Sequence, residues 1–385
     1  VDAHVPQRKG VAGLIPRLMM LASLVLAASQ VHAENGRFSD PEDGRFDMSE
    51  HLLTYQGMLP VPIIVTEPAV GFGVGLAALY FDESIADASN KSLAETGRRA
   101  PPNVSAFGGF KTENGTQGGF AGHMHGWNGD RIRSISGVVK MGINLDYYGL
   151  GDQAQRYTID GAGFVQQVLL RAGDSPWLMG LRYAYFDTEM HFERERPLDL
   201  VNQSVSETLG VGGVVIDYDT RDNFLSPNSG SYVEGEANFM RPEFGSTSSF
   251  DLLGVRGYHW QPLGRSLVLG LRADWQRAQG DAPFWAQPYV KLRGIPAARY
   301  QDRETAAGEL ELRYAIDDRW SAIGFGGVGK AYCRRHDFSE AEQVTTIGAG
   351  FRYLIARRLG LLAGLDVARG PEDTAVYIQV GSAWR

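Results

Sequence analysis

Lys291-Leu292-Arg293-Gly294-Ile295-Pro296-Ala297-Ala298-Arg299-Tyr300-Gln301-Asp302 closes the longest polar interruption in the C-terminal half of the chain. Gly294 and Pro296 impose a bend, because glycine tolerates positive φ while proline fixes φ and lacks a donor. Downstream, Gly308-Glu309-Leu310-Glu311-Leu312-Arg313-Tyr314 alternates strictly, which sets Glu309 and Glu311 on one face of a strand and the leucines on the other. The stretch therefore reads as a long loop with an arginine at its apex, hung between two strands that have one polar and one apolar side.

The same period-two pattern fills the chain from about Leu59 onward. In Phe72–Tyr80 the even positions carry the larger side chains, and Asn114-Gly115, between 103–113 and 116–127, is a hairpin signal. Further strands are expected at 131–142, 159–172, 176–188, 204–219, 230–243, 246–261, 265–277, 305–317, 319–331, 342–355, 357–368 and 373–385; with short ones near 61–67 and 72–82 they make sixteen. Connections alternate between very short ones and a set that contains the long loops, the asymmetry of a membrane barrel. The expected fold is all-β, a 16-stranded antiparallel transmembrane β-barrel of the bacterial outer membrane. Residues 83–102, polar and with two prolines, fit neither class of connection.

Composition agrees. Glycine supplies 48 of 385 residues and aromatics 11%, which suit curved sheets and the aromatic girdles of membrane barrels. A net charge of -8, with no clustered basic face, excludes nucleic acid as a partner. The single cysteine, Cys333, excludes an internal disulfide. Arg8, Lys9 and Arg17, the apolar run Leu18–Ala28 and Val31-His32-Ala33 have the order of a secretory signal peptide, expected over 1–33 with cleavage after Ala33. Residues 34–59 read as a short, flexible periplasmic lead-in, and 60–385 as the barrel.

Three motifs resemble the BamA/TamA-type outer-membrane barrel superfamily, the bacterial surface antigen family. Leu292-Arg293-Gly294 with Tyr300 and Asp302 resembles the family's lumen loop. Asp219, Arg221, Asp222, Asn223, Pro227 and Gly230 resemble its mid-barrel periplasmic turn. Pro60–Ile64 with Glu67–Gly73 resembles the barrel entry. The resemblance implies that Arg293 folds back into the barrel to meet an acid on the wall. Phe325-Gly326-Gly327-Val328-Gly329 matches the family's acidic segment but has Gly327 in place of the aspartate, so Glu309 or Glu311 is the expected partner. A buried guanidinium needs such partners for its five donors. Tyr377, Gly381 and Trp384 resemble the C-terminal signal presented to the assembly machinery, with Val376, Ile378, Val380 and Trp384 expected to face lipid. Residues 34–59 are expected to be too few for one of the family's periplasmic POTRA modules.

No catalytic residues, metal site or cofactor are expected. His123 and His125 share a strand face without a recognisable third ligand, and no nucleophile motif is present. Gly71-x-Gly73-x-Gly75 lies inside a strand, not between a strand and a helix, so it is not a phosphate loop. The family implies a barrel for outer-membrane protein or lipid assembly or translocation. Its partners would be outer-membrane lipids, lipopolysaccharide, the assembly machinery during biogenesis, and a polypeptide or lipid client. A passive pore for small solutes and a structural surface antigen are the alternatives.

Overall fold

The computed structural model describes residues 38–96, 101–147, 155–192, 205–333 and 336–384; the expected signal peptide lies outside them. Its frame is one antiparallel sheet of sixteen strands, each paired with the next in sequence. They are β1 (Gly57–Val65), β2 (Gly73–Phe81), β3 (Val104–Thr112), β4 (Gln117–Trp127), β5 (Ile132–Tyr147), β6 (Gln155–Arg171), β7 (Trp177–Phe192) and β8 (Val205–Asp219). The second half comprises β9 (Gly230–Met240), β10 (Phe250–Pro262), β11 (Leu267–Gly280), β12 (Glu304–Ala315), β13 (Trp320–Tyr332), β14 (Gln343–Ala356), β15 (Leu361–Arg369) and β16 (Thr374–Val380). Hydrocarbon satisfies no backbone donor, so neighbouring strands must do so around the whole circumference. Among the described residues one gap is left: no ladder joins β1 to β16.

The continuous register assigns every side chain to one of two faces. Leu310 and Leu312 of β12 align with Leu271 and Leu269 of β11 and with Gly326 and Gly324 of β13, all outward. Glu309 and Glu311 alternate with them and point into the lumen. At the end that carries the short turns, outward aromatics form a girdle, with Trp177 against Tyr218 at 4.9 Å and Trp320 against Tyr353 at 4.8 Å. This is the periplasmic end, and both described chain ends lie there.

The described part of the expected flexible lead-in is instead packed. Residues 38–56 hold a short helix α1 (Ser49–Thr54), and β1 starts at Gly57, ahead of the expected residue 60. Three lead-in carboxylates surround the fully buried Arg319 of the β12–β13 turn: Asp40 at 2.5 Å, Asp43 at 2.7 Å and Asp47 at 2.6 Å. Arg357, after β14, pairs with Asp40, Glu42 and Asp43. Part of 83–102 forms a second helix, α2 (Ile85–Thr96), against α1 at the same end.

Candidate functional site in the lumen

The loop between β11 and β12, residues 281–303, turns back into the barrel as a hairpin. Its arms are held by Val290 N–H to the Tyr300 carbonyl at 2.9 Å and by a bridge between Tyr289 and Gln301. Val290, Leu292 and Ile295 are buried with Val344 of β14 and press the hairpin on the wall. The wall there is glycine: a Cβ on Gly327 would lie 2.9 Å from Leu292 Cδ2, and one on Gly329 would lie 2.5 Å from Val290 Cγ1. Leu292 thus takes the space that an aspartate at 327 would need. At the tip, Gly294 has φ of 92° and touches Gly370, an approach that a side chain on either residue would block.

Arg293 is 6% exposed. Its Nε and Nη2 donate to Glu309 Oε1 at 3.0 and 2.7 Å, Nη2 also lies 2.9 Å from Glu311 Oε2, and Nη1 donates to Asp366 Oδ2 at 2.8 Å. The guanidinium plane lies over the Phe325 ring, 3.5 Å from its centroid. Asp366 also receives both Nη groups of Arg352, at 2.6 and 2.8 Å. Two cations therefore face three carboxylates in a site closed to bulk water. The wall acids come from β12 and β15, so the one side chain clamps the loop to strands on either side of β13 and β14. Glu309 and Glu311 join Arg293 here, and Phe325 of the segment matched above lies beneath it; Asp366 and Arg352 were not singled out in the sequence. Alternation would have found Asp366, since Leu365 and Val367 beside it face outward.

The other expected loop residues lie apart from this cage. The Tyr300 hydroxyl donates to Glu372 in the β15–β16 turn, and Asp302 is buried at the loop base, where its carboxylate accepts the Arg303 N–H at 2.6 Å. Ala297 N–H reaches Glu67 Oε1, after β1, at 2.9 Å, so the tip also touches the first strand's side of the seam.

The periplasmic turn 220–229 folds into the periplasmic mouth of the lumen, where it meets the inward-facing Arg313. Arg221 pairs with Asp219 at 2.7 Å and covers the Tyr232 ring at 4.5 Å; Asp222 Oδ1 accepts the N–H groups of Asn228 and Ser229. Asn223 Oδ1 accepts the Leu225 N–H at 2.7 Å while its Nδ2 crosses to the Leu359 carbonyl at 2.7 Å. Pro227 is fully buried and its carbonyl accepts from Arg313 at 2.8 Å. Gly230, at φ of 97°, backs directly on Thr220. The motif builds the turn and also braces it against the C-terminal strands.

The C-terminal residues correct one expectation. Val376, Ile378 and Val380 do face outward, but Gly381 has φ of 82°, β16 stops, and Trp384 turns into the lumen, 2% exposed. It packs on Trp260 at 5.8 Å and Tyr258 at 6.1 Å, over Gly270, and its Nε1 donates to Glu309 Oε1 at 2.5 Å. An indole N–H gains a buried acceptor this way, which lipid would not provide. Tyr377 also points inward, and its hydroxyl accepts the Gly294 N–H at 2.8 Å. Tail, final strand and loop tip thus meet at one carboxylate cage.

His123 and His125 lie on the outward face of β4, His123 Nδ1 2.9 Å from Ser105 Oγ and His125 stacked on Trp127 at 4.3 Å. Among the described residues no group of three or more metal-ligating side chains converges.

No family model and no curated protein matches the chain. Solved structures do. BamA from Haemophilus ducreyi lacking POTRA domains 1-3 superposes with a TM-score of 0.60 at 9% identity, over 85% of this chain and 70% of that one. The fold is that of the BamA-type outer-membrane barrel. CdiB from Escherichia coli has the same architecture, with a TM-score of 0.57 at 12% identity, over 83% of this chain and 61% of CdiB. CdiB from Acinetobacter baumannii follows at 0.54 and 9%, over 84% and 59%. The chain spans about three fifths of the length of these two CdiB proteins.

Proposed function

We propose that the chain is an outer-membrane barrel for assembly or translocation, acting on a polypeptide or lipid client that passes at the β1/β16 seam. The observation that carries this reading is the unpaired seam, set beside a lumen occupied by its own loop, turn and tail. Two strand edges without partners are costly in hydrocarbon, several kcal/mol for each unsatisfied group, and they offer hydrogen bonds to an incoming strand. A permanently open solute pore would need a clear lumen, whereas here the Arg293 hairpin, the 220–229 turn and Trp384 stand in it. The role of the Arg293 cage is to fix the hairpin beside the seam, with Glu67 on the β1 side and Tyr377 on the β16 side. The reading requires no catalytic residue and no cofactor. Its natural surroundings are outer-membrane lipids, lipopolysaccharide and, during its own biogenesis, the assembly machinery.

The test is reconstitution into vesicles, following the folding rate of a urea-unfolded outer-membrane barrel. Acceleration by the wild-type protein, lost in Arg293→Ala, is the expected result. No acceleration, together with a steady ohmic conductance, overturns the proposal in favour of a pore.

A further inference from the structure

Membrane barrels place apolar side chains outside and polar ones inside. In the second half of this barrel the inward apolar side chains, such as Val344, Phe325 and Trp260, are covered by the inserted loop or the tail, but in the first five strands they are not. Following the register from β1 to β5, Val61, Leu79, Phe120, Met124, Ile135 and Val139 all point into the lumen. They are partly exposed, Ile135 at 37%, and none belongs to a packed apolar cluster with the inserted loop. Gly108, Gly118, Gly122 and Gly137 share this inner face and leave a furrow between the larger side chains. The furrow begins at β1, on one lip of the seam.

In a barrel of sixteen strands, those eight apart stand opposite, so this wall faces β9 to β12. That wall holds a polar cavity of about 70 Å³ lined by Glu234, Glu236, Arg256, Arg272, Asp274 and Lys291, among others. The acids are paired: Glu234 with Arg256 at 2.5 Å, Glu236 with Arg182 at 2.6 Å, and Asp274 with Arg272. Lys291 is the surplus cation. It is exposed to the lumen, its Nζ lies 5.1 Å from the Tyr289 ring centroid, and it makes no ion pair among the described residues.

We infer that the lumen takes a phospholipid entering at the seam, its acyl chains along the β1–β5 furrow and its phosphate at Lys291. The inference deepens the assembly or translocation reading and rests on it for the direction of entry. Charge complementarity selects the headgroup, since one unpaired ammonium in an otherwise balanced niche calls for one anionic group. The furrow selects the tail. An acyl chain has no hydrogen bonds to satisfy, whereas a polypeptide laid on an apolar wall in mid-sheet would face its amide groups with nothing to bond them. Lys291 stands two residues from Arg293 on the same hairpin, so a bound phosphate would sit beside the cage that holds the loop.

The experiment uses the full-length barrel in phosphatidylglycerol nanodiscs that contain a phospholipid with a photoactivatable diazirine on one acyl chain. Adducts are mapped to single residues by mass spectrometry. Annular lipid labels outward residues such as Leu76, Phe107 and Val138 and serves as the internal control. The expected result is additional labelling of their inward neighbours, Leu79, Phe120 and Val139. Val139→Asp should reduce inward labelling by roughly an order of magnitude, because a charge in the furrow opposes the tail. Lys291→Gln, which breaks no ion pair, should reduce it severalfold, with outward labelling and heat-modifiable migration unchanged in both. Labels confined to outward residues, or inward labels that an unfolded outer-membrane polypeptide displaces at equimolar amounts, overturn the inference. No client is needed for the labelling itself. A barrel that labels inside yet assembles nothing keeps the lipid site and loses the assembly reading; one that assembles a client with a dry lumen does the reverse.

Discussion

Two buried arginines organise this molecule, and they are held in opposite ways. Arg293 is carried on a long loop, and its carboxylates belong to the strands of the wall: Glu309, Glu311 and Asp366. Arg319 is carried on the barrel itself, in a four-residue turn between two strands, and its carboxylates Asp40, Asp43 and Asp47 belong to the lead-in. In both places a guanidinium offers more donors than any neutral group, so one side chain collects three acids. The difference lies in what is tied down. The first cage pins a loop inside the lumen, while the second pins the segment leading into β1 to turns at the far side of the seam, after β12 and β14. The seam is therefore braced across its periplasmic end by charge, while its strand edges stay unpaired.

The contrast sets the order of expected effects. Arg293→Ala removes the cation that Glu309, Glu311 and Asp366 face and leaves the fully buried Glu309 without it, a loss of about 3–5 kcal/mol. The expected outcome is a loop that protease cuts from outside and a lower temperature for loss of heat-modifiable migration. Arg319→Ala should cost a similar amount at its own site but spend it locally: cleavage appears within 38–56 while the barrel's melting changes little. If both substitutions unfold the whole barrel alike, the distinction between the two cages is wrong.

The effect next in size concerns Gly327. Gly327→Asp installs the acid that the family resemblance implies at this position, and on sequence grounds it ought to strengthen the Arg293 cage. The structure predicts the reverse, a loss of about 1–3 kcal/mol, because the new Cβ would lie 2.9 Å from the buried Leu292 Cδ2 and that side chain or its hairpin must shift. Urea midpoints of heat-modifiable migration for the two proteins decide between these outcomes.

The smallest effect is acid release of the lead-in. The Asp43 carboxyl is held at about 2, mainly by its hydrogen bond with Arg319, against an ordinary 3.8. Asp47 is also lowered; burial alone would raise it, but hydrogen bonds from Ser49 and Arg319 prevail. A depressed carboxylate contributes stability that is complete above its ordinary value and lost as pH falls through the folded one. Docking should therefore hold down to about pH 4 and fail by about pH 2. Hydrogen exchange of 38–56 across that range measures it, and release beginning at pH 6 would mean that these aspartates do not hold the segment.

Most of the frame was legible because lipid enforces alternation: Glu309 and Glu311 beside Leu310 and Leu312 fix both the strand and its inward face. What escaped had no local signature. Asp40, Asp43 and Asp47 lay in what read as a flexible lead-in, since their partner stands more than 270 residues away in sequence. The lipid-facing expectation for Trp384 followed from continuing the alternation past Gly381, whose positive φ ends the strand. Asp366 was readable by the same alternation that placed Glu309, yet no motif drew attention to it.

Single-channel recording in planar bilayers tests most directly whether the Arg293 hairpin closes the lumen. The wild-type barrel is expected to be closed for most of the record, and Arg293→Ala to open to larger, longer-lived conductance steps. Indistinguishable records from the two proteins, at equal reconstitution, would contradict it.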